Sequence, residues 1–122
     1  LLLLHRRKTG ALIRAAVRVG GIAGRADAAA LESLTHYAER VGLAFQIVDD
    51  ILDLEGSTEE MGKTAGSDLR KGKATYPSIF GMETAKAHAD SLLAEAKSVL
   101  GRFGEASWVL AGLADYVGRR RS

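Results

Sequence analysis

The stretch Phe45-Gln46-Ile47-Val48-Asp49-Asp50-Ile51-Leu52-Asp53 sets three acids into an otherwise apolar run. At about 100° per residue on an α-helix, Gln46, Asp49, Asp50 and Asp53 fall within an arc of about 100°. Every other residue from Val41 to Leu54 is apolar except Gly42, and Gly42 lies on the same arc. Upstream, Leu31, Leu34, Ala38, Val41, Phe45, Val48 and Leu52 follow steps of three and four. A second stripe, Ala44, Ile47, Ile51 and Leu54, joins from Val41 onward. The spacing predicts a helix over about 27–54, capped by Asp27. It is one-sided in its first half and apolar over most of its circumference in its second. Such a helix belongs at the centre of a bundle, with one acidic stripe about 10 Å long at a rise of about 1.5 Å per residue.

Carboxylates crowded on one face repel each other and are expensive to bury unpaired. They also sit near the helix C-terminus, where the macrodipole disfavours negative charge. A bound divalent cation resolves that cost. Mg²⁺ takes oxygen ligands and usually keeps waters and substrate phosphates in its shell. Asp49 and Asp53, four apart, project together and suit one such ion. The plain alternative is a solvated acidic face, and the flanking apolar stripes weigh against it.

The segment 55–74 breaks the helical pattern. Gly56, Gly62, Gly66 and Gly72 alternate there with Lys63, Arg70, Lys71 and Lys73. Ammonium and guanidinium groups beside metal-holding acids suit a diphosphate, and glycines let the backbone approach it closely. The Walker spacing of a P-loop is missing. A short helix follows, opened by Thr75 and Pro77. Another basic group, His5-Arg6-Arg7-Lys8, precedes a predicted helix over about 9–19 that carries Leu12, Ile13, Ala16 and Val17 and stops at Gly20, Gly21 and Gly24. A helix N-terminus beside Lys8 and Thr9 would be an anion site, although the basic run taken alone reads more plainly as a surface turn. Two more helices are predicted. One spans about 84–103, with Ala85, Ala89, Leu92, Ala96, Val99 and Phe103 on one face. The other spans about 105–117, with Val109, Leu110, Leu113 and Val117 inward. Arg119 to Arg121 read as a soluble tail suited to a helix C-terminus rather than as a clamp. His5, His36 and His88 lack metal-ligand spacing and read as surface or packing residues. Trp108 and Tyr116 read as core or interface aromatics. No nucleophile elbow supports a serine triad.

The fold class is all-α: four long helices, one short one, a single proline and no alternating β-branched run. The 122 residues are 47% hydrophobic and 26% charged, a globular composition. A net charge of +2 is too small to make nucleic acid the expected partner. The absence of cysteine excludes disulfides, iron–sulfur clusters and thiol catalysis. No apolar run approaches the roughly 18 residues of a membrane span, so no stable membrane insertion is expected. Residue 1 is a leucine inside an apolar run, which points to the C-terminal part of a longer protein.

Three strings occur in order: Phe45-Gln46-x-x-Asp49-Asp50-x-x-Asp53, then Gly62-Lys63-x-x-Gly66-x-Asp68, then Gly72-Lys73-x-Thr75-Tyr76-Pro77. Together they resemble the trans-type polyprenyl diphosphate synthases, bacterial farnesyl and geranylgeranyl types most of all. Lys8-Thr9-Gly10-Ala11-Leu12-Ile13 resembles the lysine–threonine motif of that family. The resemblance implies the C-terminal part of an isoprenoid synthase helical bundle in a cytoplasmic homodimer. It implies a prenyltransferase that joins isopentenyl diphosphate to an allylic diphosphate, with Mg²⁺ as cofactor. Asp49, Asp50 and Asp53 would be the second aspartate-rich motif, holding Mg²⁺ directly or through water, Asp49 first among them. Lys8 and Lys63 would contact the allylic diphosphate. Thr9 and Gln46 would place oxygen dipoles near the developing cation, and Phe45 and Lys73 would complete the substrate contacts. The first aspartate-rich motif of the family has no counterpart in these residues. The chain is therefore expected to be inactive by itself and to expose apolar faces. A non-catalytic regulatory subunit, or a helical interaction module, is the alternative.

Overall fold

The computed structural model describes residues 2–59 and 75–120, with side chains over 7–56 and 75–120. All the regular elements among the described residues are helical. They are α1 (Leu2–Ala23), α2 (Ala28–Glu59), α3 (Tyr76–Phe80), α4 (Met82–Ser98), a 3₁₀ segment (Val99–Ser107) and α5 (Trp108–Arg119).

The central helix is α2, as its two apolar stripes require. Tyr37, Val41, Ala44, Ile47, Val48 and Ile51 are buried along it. They meet Ala85, Ala89, Leu92, Leu93 and Ala96 of α4, then Leu100, Ala114 and Val117. The pairing is complementary in size. Three small alanines of α4 let the helix axes approach, and branched side chains of α2 fill the seam. Full burial of each branched side chain is worth about 1.5–3 kcal/mol. Polar ties fix the arrangement at its margins. The Tyr37 hydroxyl donates to the Leu110 carbonyl at 2.6 Å. Arg40 pairs with Glu95 at 2.8 Å, and Lys86 with Glu55 at 3.1 Å.

Local sequence sets the helix ends. Asp27 Oδ1 accepts from the Ala30 N–H at 2.7 Å, the expected N-cap of α2. The end of α1 is a Schellman turn, with Ala26 N–H on the Gly21 carbonyl and Arg25 N–H on that of Ile22. Arg25 takes the left-handed conformation there, at φ 62°. Gly20 and Gly21 thus lie inside α1, and the helix ends at Ala23, four residues beyond the expected end at 19. A Cβ on Gly21 would sit 2.8 Å from Leu34, so this glycine serves the close approach of α1 to α2. Thr75 and Ser78 form a reciprocal capping box at α3, with Pro77 buried in its first turn. The predicted 84–103 helix ends earlier, at Ser98, and the 3₁₀ segment carries the chain to a kink at Gly104, φ 57°.

Two expectations about inward faces are corrected. On α1, Ile13 and Val17 are half-buried, but Leu12 is 70% exposed and Ala16 is exposed too. On α5, the inward line is Leu110, Ala114 and Val117, whereas Val109 and Leu113 are each 50% exposed. Trp108 and Tyr116 are exposed as well, not core residues. Both helices pack on one side only among the described residues, and the phase of that contact chooses between neighbouring apolar positions. The expected exposed apolar faces are therefore present. His36 is exposed and His88 half-buried, as packing or surface histidines. No described helix is long and apolar enough to cross a membrane.

Candidate functional site

The acidic stripe lies on the last third of α2, and the structure divides it. Asp50 stands at one edge of the arc and is 6% exposed. Its Oδ2 accepts the backbone N–H of Tyr76 at 3.1 Å, one of the donors that the start of α3 leaves without a helical partner. Tyr76 is held in turn by a hydrogen bond between its hydroxyl and His88 Nδ1, and by the Phe80 ring at 4.6 Å. Asp49 stands at the opposite edge, next to Phe45. Its Oδ1 accepts from Arg120 Nη2 at 2.8 Å. The Arg120 guanidinium lies over the Phe45 ring, 4.2 Å from its centre, a cation–π contact. Asp53 is exposed one turn further on.

The three aspartates are thus not gathered into one ligand set. Among the described residues, no three carboxylate or imidazole groups converge to hold a metal by themselves. The reason is their spread around the helix. Asp49 and Asp53 are one turn apart on one face, whereas Asp50 sits nearer the α3 side, where its Oδ2 accepts the Tyr76 N–H. On that face stand Asp49, half-buried and paired with Arg120, and the exposed Asp53, with Gln46, half-buried, on the turn before them. These are hard oxygen donors without a thiolate or imidazole among them, the donor set that suits Mg²⁺.

Lys8 and Thr9 lie well inside α1, so the helix N-terminus expected beside them does not exist there. Lys8 is exposed and Thr9 half-buried. What brings this part of α1 toward the stripe is a close crossing. A Cβ on Gly42 would lie 3.7 Å from the Gly10 Cα. Beside the crossing is a groove of about 460 Å³ whose lining includes Arg7, Gly10, Gly42, Leu43 and Gln46. Residues flanking the Lys8-Thr9 pair therefore share a groove with Gln46. Lys63 and Lys73, with Arg70 and Lys71, lie outside the described residues; α2 runs on to Glu59, so Glu55 and Gly56 are helical rather than loop.

Arg120 is the residue that the spacing argument missed. It was expected in a solvated tail, yet its side chain is only 23% exposed and reaches the acidic stripe. A signal was present in the periodicity: 110, 114 and 117 are inward on α5, and 120 follows 117 by three. The Tyr76 N–H contact to Asp50 had no comparable signal, because 26 residues separate the two.

Known proteins resemble this chain over most of its length. The sequence pattern of the Polyprenyl synthetase family matches residues 1–104. The farnesyl diphosphate synthase of Escherichia coli (strain K12) is 48% identical over 121 residues, which cover 96% of this chain and 40% of that enzyme. Geranylgeranyl pyrophosphate synthase 6, mitochondrial, of Arabidopsis thaliana is 45% identical, covering 98% of this chain and 36% of its own length. A crystal structure from Marinomonas sp. MED121, provisionally named a farnesyl-diphosphate synthase, superimposes with a TM-score of 0.73 at 38% identity. It covers 91% of this chain and 36% of its own. The chain spans about two-fifths or less of the length of each of these proteins. With an all-helical bundle, an acidic stripe on its central helix and a family match over most of its residues, the chain belongs to the polyprenyl synthetase family.

Proposed function

We propose that this chain is the C-terminal portion of a single polyprenyl synthase domain. The parent protein is a prenyltransferase that condenses isopentenyl diphosphate with an allylic diphosphate. The allylic C–O bond breaks and inorganic pyrophosphate leaves. The isopentenyl double bond attacks the allylic carbon, a C–C bond forms, and loss of a proton restores a double bond. The observation that carries this reading is the one helix face that Asp49 and Asp53 share, beside Phe45 and Gln46.

Asp49 and Asp53 would hold Mg²⁺, and Asp50 serves the same site by anchoring α3 beside it. When bound, Mg²⁺ supplies positive charge to the departing diphosphate, leaving coordination positions for its oxygens. The chain's own residues do the rest. Lys8, Lys63 and Lys73 neutralise diphosphate charge. Thr9 and Gln46 present oxygen dipoles to the carbon that becomes positive, and Phe45 contacts substrate. Fixed charges and dipoles aimed at developing charge are often the largest catalytic term. A cytoplasmic homodimer is proposed for the parent protein.

The test uses the full-length protein. Incubation with isopentenyl diphosphate and a short allylic diphosphate, with and without Mg²⁺, should yield a Mg²⁺-dependent prenyl diphosphate detectable by mass. Asp49→Asn should lower kcat by about 10²–10³, the usual loss when one charge-stabilising group is removed. No product from any allylic primer would sink the enzyme reading in favour of a regulatory subunit. Turnover by the 122-residue chain alone would sink the assignment of that chain as a partial domain.

A further inference from the structure

Arg120 has no role in the function proposed above, yet its guanidinium sits directly on the acidic stripe. Its Nη2 lies 2.8 Å from Asp49 Oδ1. Its guanidinium covers the Phe45 ring at 4.2 Å. The residue follows directly on Arg119, the last residue of α5, and its own N–H donates to the Tyr116 carbonyl at 3.1 Å. An arginine in this place occupies the carboxylate best placed to meet a cation.

We infer that Arg120 is a displaceable counter-ion of Asp49: it neutralises the carboxylate while the site is empty of metal, and a divalent cation expels it. This rests on reading the acidic stripe as a metal site.

Three observations support exchange rather than permanent pairing. The docked guanidinium is incompletely satisfied. It reaches Asp49 through one N–H rather than the two-pronged contact that makes arginine–carboxylate pairs strong. Its Nε is buried with no hydrogen-bond partner among the described residues, an arrangement that works against the docked state. Position comes next. Arg120 sits past the end of a helix, so releasing it breaks one terminal turn and leaves the α2–α4 seam intact. Charge completes the case. A doubly charged ion about 2.1 Å from a carboxylate oxygen attracts it about 2.7 times as strongly as a guanidinium at 2.8 Å under equal screening. Cation and guanidinium on one carboxylate also repel each other. The ion therefore gains Asp49, with Asp53 one turn away, and the arginine leaves with the end of α5.

The inference is tested on the 122-residue chain with Mn²⁺ alone, a paramagnetic substitute for Mg²⁺. Free Mn²⁺ is measured by electron paramagnetic resonance for the wild type, Arg120→Gln and Asp49→Asn. Arg120→Gln should bind Mn²⁺ about two- to fivefold more tightly, the range set by the worth of a partly exposed ion pair. Asp49→Asn should lose most of the binding. Hydrogen exchange gives a readout that needs no variant: in the wild type, Mn²⁺ should speed exchange of the Arg120 amide. Equal or weaker binding by Arg120→Gln, or an Arg120 amide equally protected with bound Mn²⁺, overturns the displacement while leaving the metal site standing. Unaltered binding by Asp49→Asn, or no binding by wild type and Arg120→Gln alike, overturns the metal-site reading and the displacement together.

Discussion

The seam between α2 and α4 and the outer face of α5 carry the same kinds of side chain in opposite surroundings. Along the seam, Val48, Ile51, Ala85 and Ala96 are fully buried, and Leu92 is 5% exposed. On α5, Trp108, Val109, Leu113 and Tyr116 are 50–74% exposed, although Val109, Leu113 and Tyr116 follow steps of four and three as regular as those of the seam. Apolar periodicity states which side of a helix can be buried. Whether it is buried depends on a second surface of matching shape, and α4 supplies one through its alanines.

The sharpest way to break this comparison is to truncate both regions. Leu92→Ala should cost about 2–5 kcal/mol, since it opens a cavity in a filled seam. Equilibrium urea unfolding measures it. A loss below about 1 kcal/mol would mean that the seam is not the core of the fold.

A smaller effect is expected at Tyr37, where the seam meets α5. Burial pushes its hydroxyl up to about 12 from an ordinary value of 10.0. The folded state thus keeps the proton over a range in which the unfolded chain gives it up. The stability due to this group is whole below pH 10 and is lost as the pH rises through 12. Tyr37→Phe should cost about 1 kcal/mol at pH 8, from the lost hydrogen bond to Leu110. The gap between wild type and variant should then narrow between pH 10 and 12. A gap independent of pH would show that the hydroxyl is as accessible in the folded chain as in the unfolded one.

The smallest change in stability belongs to the outer face of α5. Leu113→Ser and Tyr116→Ser should each alter unfolding free energy by no more than about 0.5 kcal/mol, because little packing is lost. They should at the same time reduce binding of an environment-sensitive dye and any self-association, since they shrink an exposed apolar patch. A destabilisation comparable to that of Leu92→Ala would erase the distinction between the two regions.

Much of the site was legible without coordinates because it is local. Gln46, Asp49, Asp50 and Asp53 share a helix, so their common face follows from 3.6 residues per turn. Capping by Asp27 and by Thr75 is equally local, resting on side chains within three residues of the N–H groups that they satisfy. Lys8 was placed at a helix start because the basic run resembled a helix-preceding segment. The leucines before it extend α1 instead, and its N–H belongs to the helix interior. Arg120 and Asp49 are 71 residues apart, beyond the reach of any periodicity along one element.

By itself, then, the order of residues determined the helical class, the central place of α2, the acidic stripe and the family to which its motifs point. All of these depend on spacing along one helix or on strings of neighbouring residues. Only the tertiary structure decided the division within the stripe. It turned Asp50 to the start of α3, gave Asp49 to Arg120, and left Val109 and Leu113 outward on α5. Each of those outcomes depends on the rotation of one helix against another, which is set by the shapes that meet at the contact.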